Sequence, residues 1–187
     1  FMYRDGALTL VTQSDYSTPV VHTVYTLFED SALGILVGTP QGLMRVSVSG
    51  ELEAAVVYGS QVSEPVHGLH RDPDGALWLC SERLGLLRIA PDGGKLVIGQ
   101  EAGLAGYPRV VMRDTTGNLW VGTTAGLFLV ARDAVIAIGR HAGGFNDAVL
   151  QITEDAFGRL WLGTTQGLLC VYLEDLVRLA RTTASDQ

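Results

Sequence analysis

The chain has 187 residues, of which 47% are hydrophobic and 18% charged, and it carries 23 glycines and a formal net charge of −7. That length suits one domain or two small ones, and short apolar runs separated by glycine-rich turns favour an all-β protein. The acidity, with 13 scattered basic residues, argues against nucleic acid and anionic lipid surfaces as partners; no apolar run approaches the ~20 residues that span a bilayer.

Taken in order, the chain is one unit written several times. Phe1-Met-Tyr-Arg-Asp-Gly-Ala-Leu-Thr-Leu-Val aligns with Leu127-Phe-Leu-Val-Ala-Arg-Asp-Ala-Val-Ile-Ala, so residues 1–17 read as the second half of a unit. Four full units follow, at about 20–60, 63–100, 106–140 and 147–182. Each is anchored on an aspartate: Asp30, Asp72, Asp114 and Asp155, spaced 42, 42 and 41 residues apart. A near-constant period of this length is the mark of a repeat architecture.

Within a unit the positions have separable roles. Apolar residues three and six places before each aspartate, such as Leu69 and Val66, predict a first strand. The aspartate and the glycine that follows (Gly75, Gly117, Gly158) predict a hairpin turn, because Asp hydrogen-bonds the backbone two residues on and Gly accepts positive φ. Six residues after the aspartate stand Leu36, Trp78, Trp120 and Trp161, so all three tryptophans occupy one register. A large ring repeated once per unit suits the packing of one sheet on the next. Gly122 and Gly163, in the second strand, suit close backbone approach. A third strand and a fourth (Leu96–Ile98, Val135–Ile138, Leu176–Leu179) complete the unit. The segment from Leu176 to Arg181 also reads as a short amphipathic helix, but alignment of Asp175 with Asp133 favours a strand.

Four antiparallel strands in about 42 residues are a β-propeller blade. The expected fold is an all-β propeller: four four-stranded blades and an N-terminal half blade in one partial domain over residues 1–187. An uncovered terminal blade exposes an apolar face, so the chain is expected to belong to a larger propeller or to close as a homo-oligomer.

The recurring aspartates read as structural, since a turn-former is needed in every blade and a catalytic group only once. His22, His67, His70 and His141 show no metal-binding spacing; His67 and His70, three apart on a strand, point to opposite faces. Cys80 and Cys170 read as buried free thiols. No nucleophile or phosphate-loop signature is present, and no catalytic residue, metal or cofactor is expected. Ligand contacts are expected on the face shared by the second-to-third-strand loops and the blade-to-blade loops, whose polar members include Gln41, Glu82, Arg83, Tyr107, Arg109, His141, Asn146, Asp147 and Gln166, with Arg83, Tyr107, Arg109, His141 and Asn146 as the candidates. Cations in an acidic chain suit an anionic or hydroxyl-rich ligand.

The pattern V-x-x-I-x-x-D-x-x-G-x-L-W-V-G-T-x-x-G-L, carried closely by Gly117–Leu127 and by Asn146–Asp155, resembles the two-component regulator propeller repeat. The resemblance implies a seven-bladed ring serving as the periplasmic (extracytoplasmic) sensor of a bacterial hybrid histidine kinase or diguanylate cyclase. It implies non-catalytic recognition of a small molecule, frequently a carbohydrate, or of a partner protein. A protein-binding scaffold would instead present a broad flat apolar face. A propeller lyase or glycosidase would need a non-repeated His/Glu or paired-carboxylate cluster at one channel mouth.

Overall fold

A computed structural model describes residues 2–4, 7–9, 23–131, 134–138 and 147–185. Strands β1 (Met2–Arg4) and β2 (Ala7–Thr9) form an antiparallel hairpin, as the third and fourth strands of a blade would. Blade 1 is β3 (Thr26–Asp30), β4 (Gly34–Thr39), β5 (Gly42–Val46) and β6 (Leu52–Ala54), paired in that order. A short hairpin of β7 (Val56–Val57) and β8 (Ser60–Gln61) leads on. Blade 2 is β9 (Val66–Arg71), β10 (Leu77–Ser81), β11 (Gly85–Ile89) and β12 (Lys95–Ile98). A 3-10 turn at Gln100–Ala102 precedes blade 3: β13 (Pro108–Arg113), β14 (Leu119–Thr123), β15 (Gly126–Val130) and β16 (Val135–Ala137).

Blade 4 has three strands, β17 (Val149–Glu154), β18 (Arg159–Thr164) and β19 (Gly167–Tyr172). The fourth strand expected at Leu176–Leu179 is absent: helix α1 (Leu173–Ser185) takes its place. The helical period wins because Leu173, Leu176 and Ala180 fall on one face and are buried against Trp120, Ile136 and Ile138 of blade 3. Glu174 and Asp175 in its first turn suit the positive end of the helix dipole, and Asp175 pairs with Arg178 one turn on.

The first strands β3, β9, β13 and β17 run side by side, and the core lies between successive blades. Trp78, Cys80 and Leu86 of blade 2 pack against Val111, Leu119 and Phe128 of blade 3; Trp120 and Leu127 of blade 3 pack against Val149, Leu160 and Leu162 of blade 4. Blade 4 has no successor among the described residues, and its far side is open: Leu168 is 67% exposed. That explains one departure from expectation. Cys170, on β19, is exposed rather than buried; Cys80 is buried as expected, both are free thiols, and burial pushes the Cys80 thiol well above its ordinary range.

The aspartate register does more than turn the chain. Asp30, Asp114 and Asp155 cap their own hairpins, as in Ala32 N and Leu33 N donating to Asp30, whereas in blade 2 the Ala76 N–H of the turn donates to Asp74 instead. In blades 2 to 4 the carboxylate accepts the indole N–H six residues on: Trp78 to Asp72 at 2.7 Å, Trp120 to Asp114 at 2.7 Å and Trp161 to Asp155 at 2.8 Å. The residue before the next aspartate adds a tie between blades that the sequence reading missed. Arg71 of blade 2 donates to Asp30 of blade 1, and Arg113 of blade 3 donates through Nε and Nη2 to Asp72 of blade 2 at 2.7 and 2.8 Å. Burial alone would push Asp72 up, but the hydrogen bonds from Arg113 and Trp78 outweigh it and hold its carboxyl below the ordinary range. In blade 4 this register holds Glu154, which instead accepts from the Thr115 N–H and hydroxyl of blade 3. Asp114 is filled by Thr116 and Asn118, and Asp155 by its own blade's Arg159.

Close approach between blades explains the glycines of the second strand. A Cβ on Gly122 would lie 2.6 Å from Val110 Cγ1, 2.7 Å from Val149 Cγ1 and 2.8 Å from the Val149 carbonyl oxygen. In blade 2 the equivalent residue is Cys80, and the glycine moves to its cross-strand partner, Gly68, where a Cβ would meet the Arg109 carbonyl oxygen at 2.7 Å. At Gly163 the nearest atom is 3.3 Å away, in its own blade. Gly122→Ala is therefore expected to destabilise by about 1–3 kcal/mol, and Gly163→Ala by about 0.5 kcal/mol or less, measured as shifts in the urea midpoint.

Candidate functional site

In blades 2, 3 and 4 the first strand carries one residue too many for its partner. In β9, Val66 pairs with Ser81 and Gly68 with Cys80, leaving His67 as the extra residue of a bulge. Arg109 between Pro108 and Val110, and Leu150 between Val149 and Gln151, occupy the same place. In blade 1, Thr26 pairs with Gly38 while the N–H of Tyr25 also donates to the Gly38 carbonyl, at 2.9 Å. A bulge re-aims a side chain out of the regular alternation. Here it does so at one register, five residues before each aspartate, along the inner edge that lines the channel of a closed propeller.

Tyr25, His67 and Arg109, from three consecutive blades, meet there. The Tyr25 and His67 rings stack with centroids 4.0 Å apart. Arg109 Nη1 lies 2.9 Å from His67 Nδ1 and 2.8 Å from Nε2. Glu82, from the β10–β11 turn, places Oε1 at 2.8 Å from Arg109 Nη1 and 3.0 Å from His67 Nε2. Burial first, and then the Arg109 charge, hold the His67 imidazole below its ordinary pKa, with Glu82 opposing them. In a neutral ring with its proton on Nε2, that N–H donates to Glu82, and Arg109 Nη1 lies about equally close to both ring nitrogens. The cluster thus presents a cation, a carboxylate, a neutral imidazole and an aromatic face: groups for recognising charge, hydroxyls and ring faces.

The other expected site residues divide in two. Arg83 and Tyr107 lie beside Glu82 on a groove of about 860 Å³ that also takes in Gln100 and Glu101. Arg83 is 3.5 Å from Glu64, and Tyr107 is tied by its backbone to Thr124. Arg83 and Tyr107 line this groove with Glu82, and Arg109 joins them through its contact with Glu82. His141 and Asn146 lie outside the described residues. Tyr25 and His67 were not among the residues expected here, since nothing in the sequence of a single strand marks a bulge. His70 faces the other way, its Nε2 3.6 Å from Asp72 Oδ1 and beyond hydrogen-bond length. Among the described residues, no group of three or more His, Cys, Asp or Glu side chains is placed to hold a metal ion.

Repeated antiparallel blades packed one on the next, with their first strands side by side, define a β-propeller. Within it, residues 143–166 match the two component regulator propeller family, so blade 4 carries that repeat. No curated protein matches the chain at a significant level. Among solved structures, the extracellular domain of BT4673 from B. thetaiotaomicron, assigned to a one component system, is similar with a TM-score of 0.70 at 18% identity, over 87% of this chain and 22% of that one. The extracellular domain of BT3049 from the same organism, assigned to a hybrid two component system, gives 0.63 at 21% identity over 82% and 22%. Virginiamycin B lyase from Staphylococcus aureus gives 0.55 at 17% identity over 83% and 57%. The chain thus spans about a fifth of the two extracellular domains and a little over half of the lyase.

Proposed function

We propose that the chain is part of an extracytoplasmic, non-catalytic sensor propeller of a bacterial signalling receptor, and that Tyr25, His67, Arg109 and Glu82 form its binding site for a small hydroxyl-rich or anionic molecule, such as a glycan. The juxtaposition carries this reading: one register of three consecutive blades brings Tyr25, His67 and Arg109 together, and the turn of blade 2 adds Glu82. The blade 4 repeat and the likeness to extracellular domains of signalling systems support it. Among the described residues no helix is long and apolar enough to cross a membrane. The open side of blade 4 is read as the seat of a further blade, supplied by a longer propeller or by a second copy.

Arg109→Gln tests the site. In calorimetric titration with a panel of neutral sugars, acidic sugars and small organic acids, the substitution is expected to weaken any binding by at least about tenfold, the worth of one hydrogen bond to a charged group. Binding unchanged by the substitution, or a panel that does not bind at all, would overturn the assignment. The likeness to a lyase gives an enzymatic reading a specific footing; mass spectrometry of the same mixtures separates the two, since a sensor returns its ligand intact.

A further inference from the structure

We infer that the molecule bound at this site carries a carboxylate, and that Glu82 stands in for that carboxylate on Arg109 and His67 while the site is free. The inference rests on the site proposed above and adds the chemistry of its ligand.

The first observation is an insertion. The second-to-third-strand turn is closed by Thr39 and Gly42 in blade 1, by Thr123 and Gly126 in blade 3, and by Thr164 and Gly167 in blade 4. Each of these encloses two residues. In blade 2 the closing pair is Ser81 and Gly85, and the turn holds Glu82, Arg83 and Leu84. The one blade that lengthens this turn is the one whose turn delivers a carboxylate to the cluster. Departures from an otherwise consistent pattern concentrate at functional sites.

The second observation is the division between fixed and movable groups. Arg109 is 25% exposed and His67 7%. Both sit on bulges inside sheets, and the ring is backed by Tyr25. Glu82 is 39% exposed and hangs from a turn. Its Oε1 alone meets both donors, at 2.8 and 3.0 Å. Among the described residues it is the only carboxylate paired with Arg109. The donors are therefore preorganised and the acceptor is free to swing out.

The third step is charge. A ligand that displaces Glu82 must leave Arg109 compensated, because an unpaired, partly desolvated cation is costly. A carboxylate restores both hydrogen bonds and the charge balance; a neutral hydroxyl restores only the hydrogen bonds, and a cation would face Arg109 directly. A small organic acid and an acidic sugar share this chemistry. They differ in whether the Tyr25 face, next to His67, contributes by covering a sugar ring.

The test uses the 187-residue chain titrated with citrate, glucuronate and glucose and followed by NMR, which reads millimolar affinities. Glu82→Gln removes the internal competitor and is expected to tighten carboxylate binding by about fivefold, the worth of an exposed ion pair, and to change glucose binding by less than that. Glu82→Ala should do the same and guards against a glutamine that keeps the contact. Glucuronate gaining more than citrate assigns the site to acidic sugars; the reverse assigns it to small organic acids. Carboxylates that bind no better to either variant, or no better than glucose, would overturn the inference. In that case, glucose binding lost in Arg109→Gln would leave the sensor site standing, whereas no response from any probe would remove both.

Discussion

Replacing Trp120 with alanine is expected to destabilise the chain by about 3–5 kcal/mol, read from urea unfolding followed by far-UV circular dichroism. The indole is fully buried where three elements meet: its own blade, β17 and β18 of blade 4, and helix α1. Truncation opens a cavity that these elements cannot all close, and it strips Asp114 of the N–H that Trp120 donates. Trp161 makes the equivalent bond to Asp155, but it lies only partly buried beside the open side of blade 4, with the Arg159 guanidinium 5.4 Å from its ring centre. Trp161→Ala should therefore cost well under half as much. Equal losses at the two positions would show that burial by the following blade does not set the worth of the ring.

Asp72→Ala is the second large effect, a loss of about 3 kcal/mol, the lower end for breaking a buried charge pair because Arg113 is partly exposed. The substitution leaves Arg113 and the Trp78 N–H without their acceptor at the boundary between blades 2 and 3. If the orphaned charge is the main cost, Arg113→Met in the same background should recover a measurable part of the loss in a double-mutant cycle. The sign of the pH dependence follows from the depressed carboxyl. The contribution is present above the ordinary carboxylate value of 3.8 and is lost as pH falls through the lower value in the folded chain. A wild-type advantage over Asp72→Ala that persists undiminished at pH 2 would contradict the charged tie.

The repeat itself was legible, because Asp30, Asp72, Asp114 and Asp155 and the three tryptophans mark a register by eye, and the hairpins fall where the glycines predict. The Arg71 and Arg113 ties were not legible, since the same register holds Glu29 in blade 1 and Glu154 in blade 4 and so reads as variable surface. Helix α1 was legible only as an alternative over Leu176–Arg181, because the alignment of Asp175 with Asp133 favours a strand there; the buried face of Leu173, Leu176 and Ala180 decides for the helix. At the site, the loop face that brings Arg83, Tyr107 and Arg109 together could be read from strand order alone. Tyr25 and His67 could not, for a bulge belongs to the pairing of two strands and is invisible in the composition of one. His67 was weighed only as a metal ligand, and its odd spacing from His70 correctly ruled that out without suggesting what else the ring might meet.

The ties between blades also impose an order on assembly. Asp30 and Asp72 each wait for an arginine encoded 41 residues later, so as the chain is synthesised each of these blades emerges with its hairpin formed and its last partner still to come. The following first strand then arrives carrying the guanidinium that locks its predecessor. Blades 3 and 4 escape the wait, because Thr116, Asn118 and Arg159 are supplied from within the same blade. Blades 1 and 2 therefore mature one blade behind the growing end, while blades 3 and 4 can complete their carboxylate turns as soon as they appear.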